Sequence, residues 1–179
     1  QYGWVARSDS STKNFVQLDK EDEEQDMILL SEYADSEVYY CGDEDDGHAK
    51  KNKWLKTWLP SDTEEEEDDK EWFWFDKNGK LYRASGSDAT VKAQKYKLEE
   101  GDLVYDGGSI TGVEKKKVNS KDYWFRPDGV MLAKFYMIDD NMYYFGGSDD
   151  GSMKTGSQTV KDNTGDTYTV SYTHLRAHE

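Results

Sequence analysis

Cysteine occurs once, at Cys41. A lone cysteine closes no disulfide within the chain, and no metal-ligand spacing surrounds it. Isoleucine occurs only at Ile28, Ile110 and Ile138, and hydrophobic residues are 35% of the 179. A single core of Leu, Ile and Val is therefore not expected. No apolar run reaches the length of a transmembrane helix, and no signal-peptide pattern is present. The chain opens on Gln1 rather than Met, so it reads as a piece of a longer one, and the missing leader says nothing about secretion. Basic residues are scarce: 23 Lys and Arg stand against 38 Asp and Glu, a net charge of −15. That balance argues against nucleic-acid partners and against docking on an anionic membrane. It suits a soluble protein facing the outside world.

Aromatic residues fill the gap. They make up 14% of the chain, with 13 tyrosines. Each ring buries roughly 150–250 Å², enough to build several small cores. They also recur in one design. WFWFDKNGKLYRA runs from Trp72, YWFRPDGVMLAK from Tyr123, YYFGGSDDGSMK from Tyr143 and YYCGDEDDGHAK from Tyr39. Each is an aromatic strand followed by an Asp- or Asn-Gly turn. Trp124 and Tyr144 lie 20 residues apart, Tyr105 and Trp124 19, and Tyr144 and Tyr168 24, with wider steps in the acidic first half. A step of this size indicates a repeat architecture. The expected fold is all-β: repeated hairpins stacked as an elongated solenoid, with acidic loop insertions. An isolated hairpin is marginal in water, so each unit must bury a face against its neighbours.

The order along the chain follows. Residues 1–36 read as a partial repeat plus an acidic insertion, 37–170 as the hairpin repeats, and 171–179 as a non-native tail. Met27–Tyr33 is either strand or short helix. Trp54, Leu55, Trp58 and Leu59 fit a helical face or a strand ending at Pro60. Ser61–Asp69 is a solvated charge run. Asn78-Gly79 predicts a two-residue hairpin over 72–84, both turn positions taking positive φ. Residues 85–102 read as a polar loop, with Leu103–Tyr105 and Val113–Val118 as short strands.

Alternation along a strand divides the aromatic columns between two faces. Phe75, Phe125, Phe145 and Cys41 share one column, with Phe73, Tyr123, Tyr143 and Tyr39 two residues before. That face is expected to be core, with Cys41 as a small buried hydrophobe. Trp74, Trp124, Tyr144 and Tyr40 fall on the other face. Rings there either seal adjacent units or stack on sugars and cage cationic ligands.

These stretches resemble the cell-wall-binding repeats of Gram-positive surface proteins, the choline-binding and glucan-binding modules among them, in a form like that of clostridia-like bacteria. YYFGGSDDGSMKTG from Tyr143 carries the pattern most fully, and Tyr39–Lys50 repeats Tyr143–Lys154 at seven of twelve positions. The resemblance implies a secreted protein held non-covalently at the bacterial cell surface by a wall polymer, either choline-bearing teichoic acid or glucan. It implies a cage built from the Trp of a Gly-Trp pair with aromatics of neighbouring hairpins. Gly3-Trp4 keeps that pair, whereas Ser157 stands where the pattern has Trp. The candidate ligand-binding residues are Trp4, Trp72, Trp74, Trp124, Tyr144 and Tyr40. The tail from Ser171 to Glu179 resembles adaptor-derived sequence at the ends of metagenomic gene fragments.

Catalytic chemistry finds no footing. His174 and His178 lie in that tail, which leaves His48 in an acidic turn, and one turn histidine builds no triad. The Asp43–Gly47 run fails the calcium-loop pattern at Gly42 and Lys53, so both Asp-Asp-Gly sites read as turns. No metal or cofactor is expected. The expected function is non-catalytic binding of wall carbohydrate or teichoic polymer. The alternatives are structural or adhesive spacer repeats without a ligand, and the binding part of a wall hydrolase whose catalytic domain lies elsewhere.

Overall fold

Aromatic and β-branched residues favour the pleated, half-buried surface of a sheet, and the described residues of this chain use them in twelve strands. The computed structural model describes residues 2–7, 15–18, 27–33, 36–43, 45–62, 66–84, 91–162 and 164–171. Its strands are β1 (Trp4–Arg7), β2 (Val16–Gln17), β3 (Glu37–Tyr40), β4 (Lys53–Thr57), β5 (Glu71–Phe75), β6 (Val91–Glu99), β7 (Asp102–Val118), β8 (Lys121–Phe125), β9 (Phe135–Ile138), β10 (Asn141–Tyr144), β11 (Ser157–Lys161) and β12 (Thr167–Ser171). Every pairing is antiparallel. Only two short 3₁₀ turns, Leu30–Tyr33 and Glu67–Asp69, break this pattern among the described residues. The all-β expectation is met at the level of antiparallel sheets.

The chain divides into two compact units. The first holds residues 1–85 and 127–131, the second 86–126 and 132–179. In the first, β2, β1 and β3 form one sheet, and β4 and β5 a second. Its core gathers Trp4, Leu18, Leu30, Val38, Phe73, Phe75, Leu81 and Val130. Leu18 and Leu30 come from the stretch before residue 37, so that stretch completes the first hairpin's core. Arg83 is buried and donates to the carbonyls of Leu30, Tyr33 and Ser36, pinning the 3₁₀ turn. Met27–Tyr33, open between strand and helix in sequence, thus takes the helical option in part.

In the second unit the sheet order is β10-β9-β6-β7-β8, with β11 and β12 as a separate ribbon. Two clusters fill it. One centres on Ala93, Val113, Leu132, Ile138 and Phe145, the other on Leu98, Leu103, Phe135 and Met142.

Two sequence expectations need correction here. Residues 85–102 are not simply a polar loop: Val91–Glu99 is a strand, and β7 runs unbroken through the stretches read as two short strands. Register shifts at Val91/Lys92 and Gln94/Tyr96 change the phase of alternation, which hides the apolar set Ala93 and Leu98 among lysines. The hairpin expected over 72–84 is also different. β5 takes β4 as its partner, with Trp74 opposite Trp54 and Phe75 opposite Lys53. After the turn only one bridge forms, Phe75 with Leu81. Gly79 has φ of 85° but Asn78 is not left-handed, and Gly79 N–H donates to the Asp76 carbonyl. This is one left-handed residue after a turn, not a pair. The paired left-handed turns occur at Glu100-Gly101, Asn119-Ser120 and Asp139-Asp140. They close β6–β7, β7–β8 and β9–β10, where their twist matches the strands.

Trp54 and Leu55 lie on β4, settling that stretch as strand. Of the Ser61–Asp69 charge run, residues 63–65 lie outside the described residues, and Glu66–Asp69 are exposed. The tail from residue 172 also lies outside them.

Candidate functional site

The strands β3, β5, β8 and β10 carry the aromatic runs, and the turns after β3 and β10 repeat closely. Gly42 and Gly146 take φ of 74° and 75°. Lys50 N–H donates to the Tyr40 carbonyl at 2.8 Å, and Lys154 N–H to that of Tyr144 at 3.0 Å. Lys154 Nζ meets Asp150 Oδ2 at 2.6 Å, as Lys50 meets Asp46. The second Asp of each Asp-Asp-Gly turn is therefore spent on the lysine four residues on. Burial opposes ionisation of Asp150, but hydrogen bonds from Lys154 and Ser152 hold its carboxyl below the usual range. Among the described residues no three His, Cys, Asp or Glu side chains group to hold a metal. His48 is exposed beside Asp46.

The expected core column holds at its phenylalanines. Phe73, Phe75, Phe125 and Phe145 are each 0% exposed. Cys41 departs from it, being only half-buried. It sits at a sheet end where it donates its N–H to the Gly3 carbonyl. Burial raises its thiol, which disfavours the reactive thiolate.

The opposite column is not uniform. Trp74 is 6% exposed. Trp54 covers it at 5.4 Å and Tyr82 at 6.4 Å, because the chain folds back over β5 and Tyr82 N–H donates to the Trp74 carbonyl. Trp4 is 1% exposed. It packs between Tyr40 at 5.2 Å and Phe73 at 4.9 Å, and its indole N–H donates to the Trp58 carbonyl at 2.7 Å. The division into a core face and an open face thus fails at Trp74, and Trp4, a candidate through the Gly-Trp pair of the resemblance, presents no free face either. Trp72, Trp124, Tyr144 and Tyr40 are half-buried. Tyr40 joins Trp4 at the first core. Trp124 lies 6.2 Å from Tyr143, and its buried indole nitrogen has no partner among the described residues.

Tyr144 stacks on Phe135 at 4.5 Å and 28°. Burial, then the charge of Asp150, raises its hydroxyl, so it stays neutral at physiological pH. Both rings line a cleft of about 430 Å³ with Tyr96, Lys95 and Lys134. That volume is in the range of small-ligand sites, roughly 300–1,000 Å³. Sequence reading missed this cleft because one wall is β6.

No protein-family model and no curated protein sequence matches the chain. Solved structures do. The modular Cpl-1 endolysin, complexed with a peptidoglycan analogue, aligns over 74% of this chain at 17% identity and a TM-score of 0.37. The chain spans 28% of that protein's length. Choline-binding protein F from Streptococcus pneumoniae aligns over 97% of this chain and 70% of its own, at 17% identity and TM-score 0.24. The S. pneumoniae autolysin LytC covers 75% of this chain and 31% of its own, at 18% identity and TM-score 0.21. At these TM-scores the likeness carries no functional argument, and the site's own residues must supply it.

A charged network braces the first hairpin. Glu37 accepts from Arg7 at 2.7 Å, from Tyr39 at 2.8 Å and pairs with Lys80 at 2.8 Å. Lys80 first, then Tyr39 and Arg7, hold its carboxyl at about 2 against the opposing effect of burial. Its folded value lies below its unfolded one, so the stability it adds is present above the ordinary value near 4.5 and lost as pH falls towards 2. Glu37→Gln should cost on the order of 1–2 kcal/mol at pH 7. The gap to the parent should close between pH 4.5 and 2. Urea titrations across that window measure both.

Proposed function

We propose that the chain is a non-catalytic module that binds a bacterial cell-wall polymer and tethers a secreted protein to the cell surface. Choline-bearing teichoic acid and glucan are the candidate polymers, and residues 37–170 supply the repeats, stacked as a solenoid. The observation that carries this reading is the set of half-buried rings Trp72, Trp124, Tyr144 and Tyr40. Each sits beside or opposite a fully buried apolar column on a short hairpin strand. A ring with one side anchored and one edge reachable stacks on a sugar or a quaternary ammonium at little cost in side-chain ordering. Trp4 and Trp74 enter this reading as supports of Tyr40 and of the strand carrying Trp72, not as open contacts. The recurring geometry of the two Asp-Asp-Gly turns supports the repeats.

A second reading is favoured by those same two buried tryptophans: spacer repeats in which the rings serve packing alone. Sedimentation of the protein with purified Gram-positive walls, with free choline or soluble glucan added as competitor, separates the two. Retention with the walls, and release by one competitor, is the expected result. A protein that stays in the supernatant at every wall concentration acts as a spacer.

A further inference from the structure

The cleft beside Tyr144 is unlike the rest of this acidic molecule. Four lysines line it: Lys95, Lys97, Lys134 and Lys161. Two carboxylates accompany them, and both are engaged. Asp106 lies 3.7 Å from Lys97. Asp162 is buried, and accepts from the Thr164 hydroxyl at 2.7 Å and amide at 2.9 Å, the Asp166 amide at 3.1 Å and the Glu100 amide at 3.2 Å. It ties the end of β11 to the β6–β7 turn. Lys95, Lys134 and Lys161 form no ion pair with any other described residue. The lining thus carries two positive charges in excess on a chain of net charge −15. At physiological salt the Debye length is about 8 Å, so charges farther from the cleft than that are largely screened.

One wall is also an open sheet edge. β6 pairs with β9 as far as Tyr96, opposite Phe135, and then continues to Glu99. No described strand pairs with it on that side beyond Tyr96.

Lys134 gives the sharpest indication. It has φ of 66°, a conformation that costs a residue with a Cβ roughly 1–2 kcal/mol. Its amide donates to the Gly146 carbonyl, and its carbonyl accepts from the Phe145 amide. Gly3 makes the same two bonds, to Gly42 and from Cys41, with the same φ of 66°. Gly156 precedes the last hairpin at φ 72°. Where two hairpins use glycine, this one carries a strained lysine at the mouth of a basic, aromatic-floored cleft. Strain of this kind persists where the side chain is used.

We propose that this cleft binds an anionic glycan: a sugar ring packs on the Tyr144–Phe135–Tyr96 surface, and its phosphate or carboxylate is held by Lys134, Lys95 and Lys161. The proposal rests on the wall-polymer reading and adds that the recognised group is the polymer's negative charge. A phosphodiester polymer and a uronate polymer share that chemistry.

The test titrates the protein with choline-free polyglycerol phosphate, with polygalacturonate and with neutral dextran, at low and moderate salt. One or both polyanions should bind, dextran should not, and raising salt from 50 to 300 mM should weaken binding on the order of tenfold. Lys134→Gly should melt at the same or a higher temperature than the parent, since it relieves the left-handed strain. It should nonetheless bind polyanion about three- to tenfold more weakly. Lys95→Gln/Lys161→Gln should compound the loss. Binding that is indifferent to salt and to these lysines, or equal for dextran, overturns the proposal. So does failure of both polyanions to bind. If intact walls are still retained in either case, the wall-binding reading stands without it.

Discussion

Phe75→Ala should destabilise the first unit by about 3–5 kcal/mol. Phe75 is fully buried, lies 5.9 Å from Trp4 and bridges to Leu81. Its cluster draws Leu18 and Leu30 from the acidic first stretch and Val130 from beyond β8. Removing the ring leaves a cavity in a cluster drawn from many separate segments of the chain, which cannot all collapse inward at once. Domain stabilities of about 5–15 kcal/mol make such a loss a large fraction of the total. Urea denaturation followed by tryptophan fluorescence measures it, since Trp4 and Trp74 report on this core. A loss under about 1 kcal/mol would mean that the phenylalanine column does not hold the hairpins together.

The second large effect concerns the turn that recurs after the aromatic strands. Gly146→Ala should cost about 2–4 kcal/mol. The residue sits at φ 75°, and an added Cβ would stand 2.6 Å from Asp150 Oδ2 and 2.7 Å from its Cγ. Relief requires Asp150 to leave Lys154, which breaks the ion pair closing the turn. Gly147→Ala is the control. It adds a Cβ with nothing within 4 Å, and should change stability by no more than about 0.5 kcal/mol. Equal effects of the two substitutions would remove the steric argument. Gly42 is the counterpart in the first unit: its added Cβ would stand 2.5 Å from Asp46 Oδ2.

Much of this was legible in the residues. Alternating aromatics with Asp-Gly turns led to antiparallel β-structure, and the phenylalanine column was readable because apolar rings recur at one phase. Of the seven positions shared by Tyr39–Lys50 and Tyr143–Lys154, the second Tyr, the first Gly, the second Asp and the Lys make the same hydrogen bonds or ion pair in both. Three things were hidden. The partner of an aromatic strand is an earlier strand, and the 29 residues between β1 and β3, β2 among them, obscure that pairing. Register shifts in β6 disguise a strand as a lysine-rich loop, and the basic cleft went with it. Trp74 alternates correctly with Phe73 and Phe75 yet is buried as well, since Trp54 and Tyr82 cover its side of β5. Alternation assigns faces, and only the third dimension says whether the second face is also covered.

Retention on purified Gram-positive walls, comparing the parent with Trp72→Leu/Tyr144→Leu, tests the central claim most directly. Leucine keeps apolar volume at both half-buried positions while removing the ring. Stacking is worth about 0.5–2 kcal/mol per ring, so the double variant should lose roughly tenfold in wall affinity while its melting temperature stays close to the parent's. A folded double variant held by walls as tightly as the parent would contradict the assignment of these rings to ligand binding.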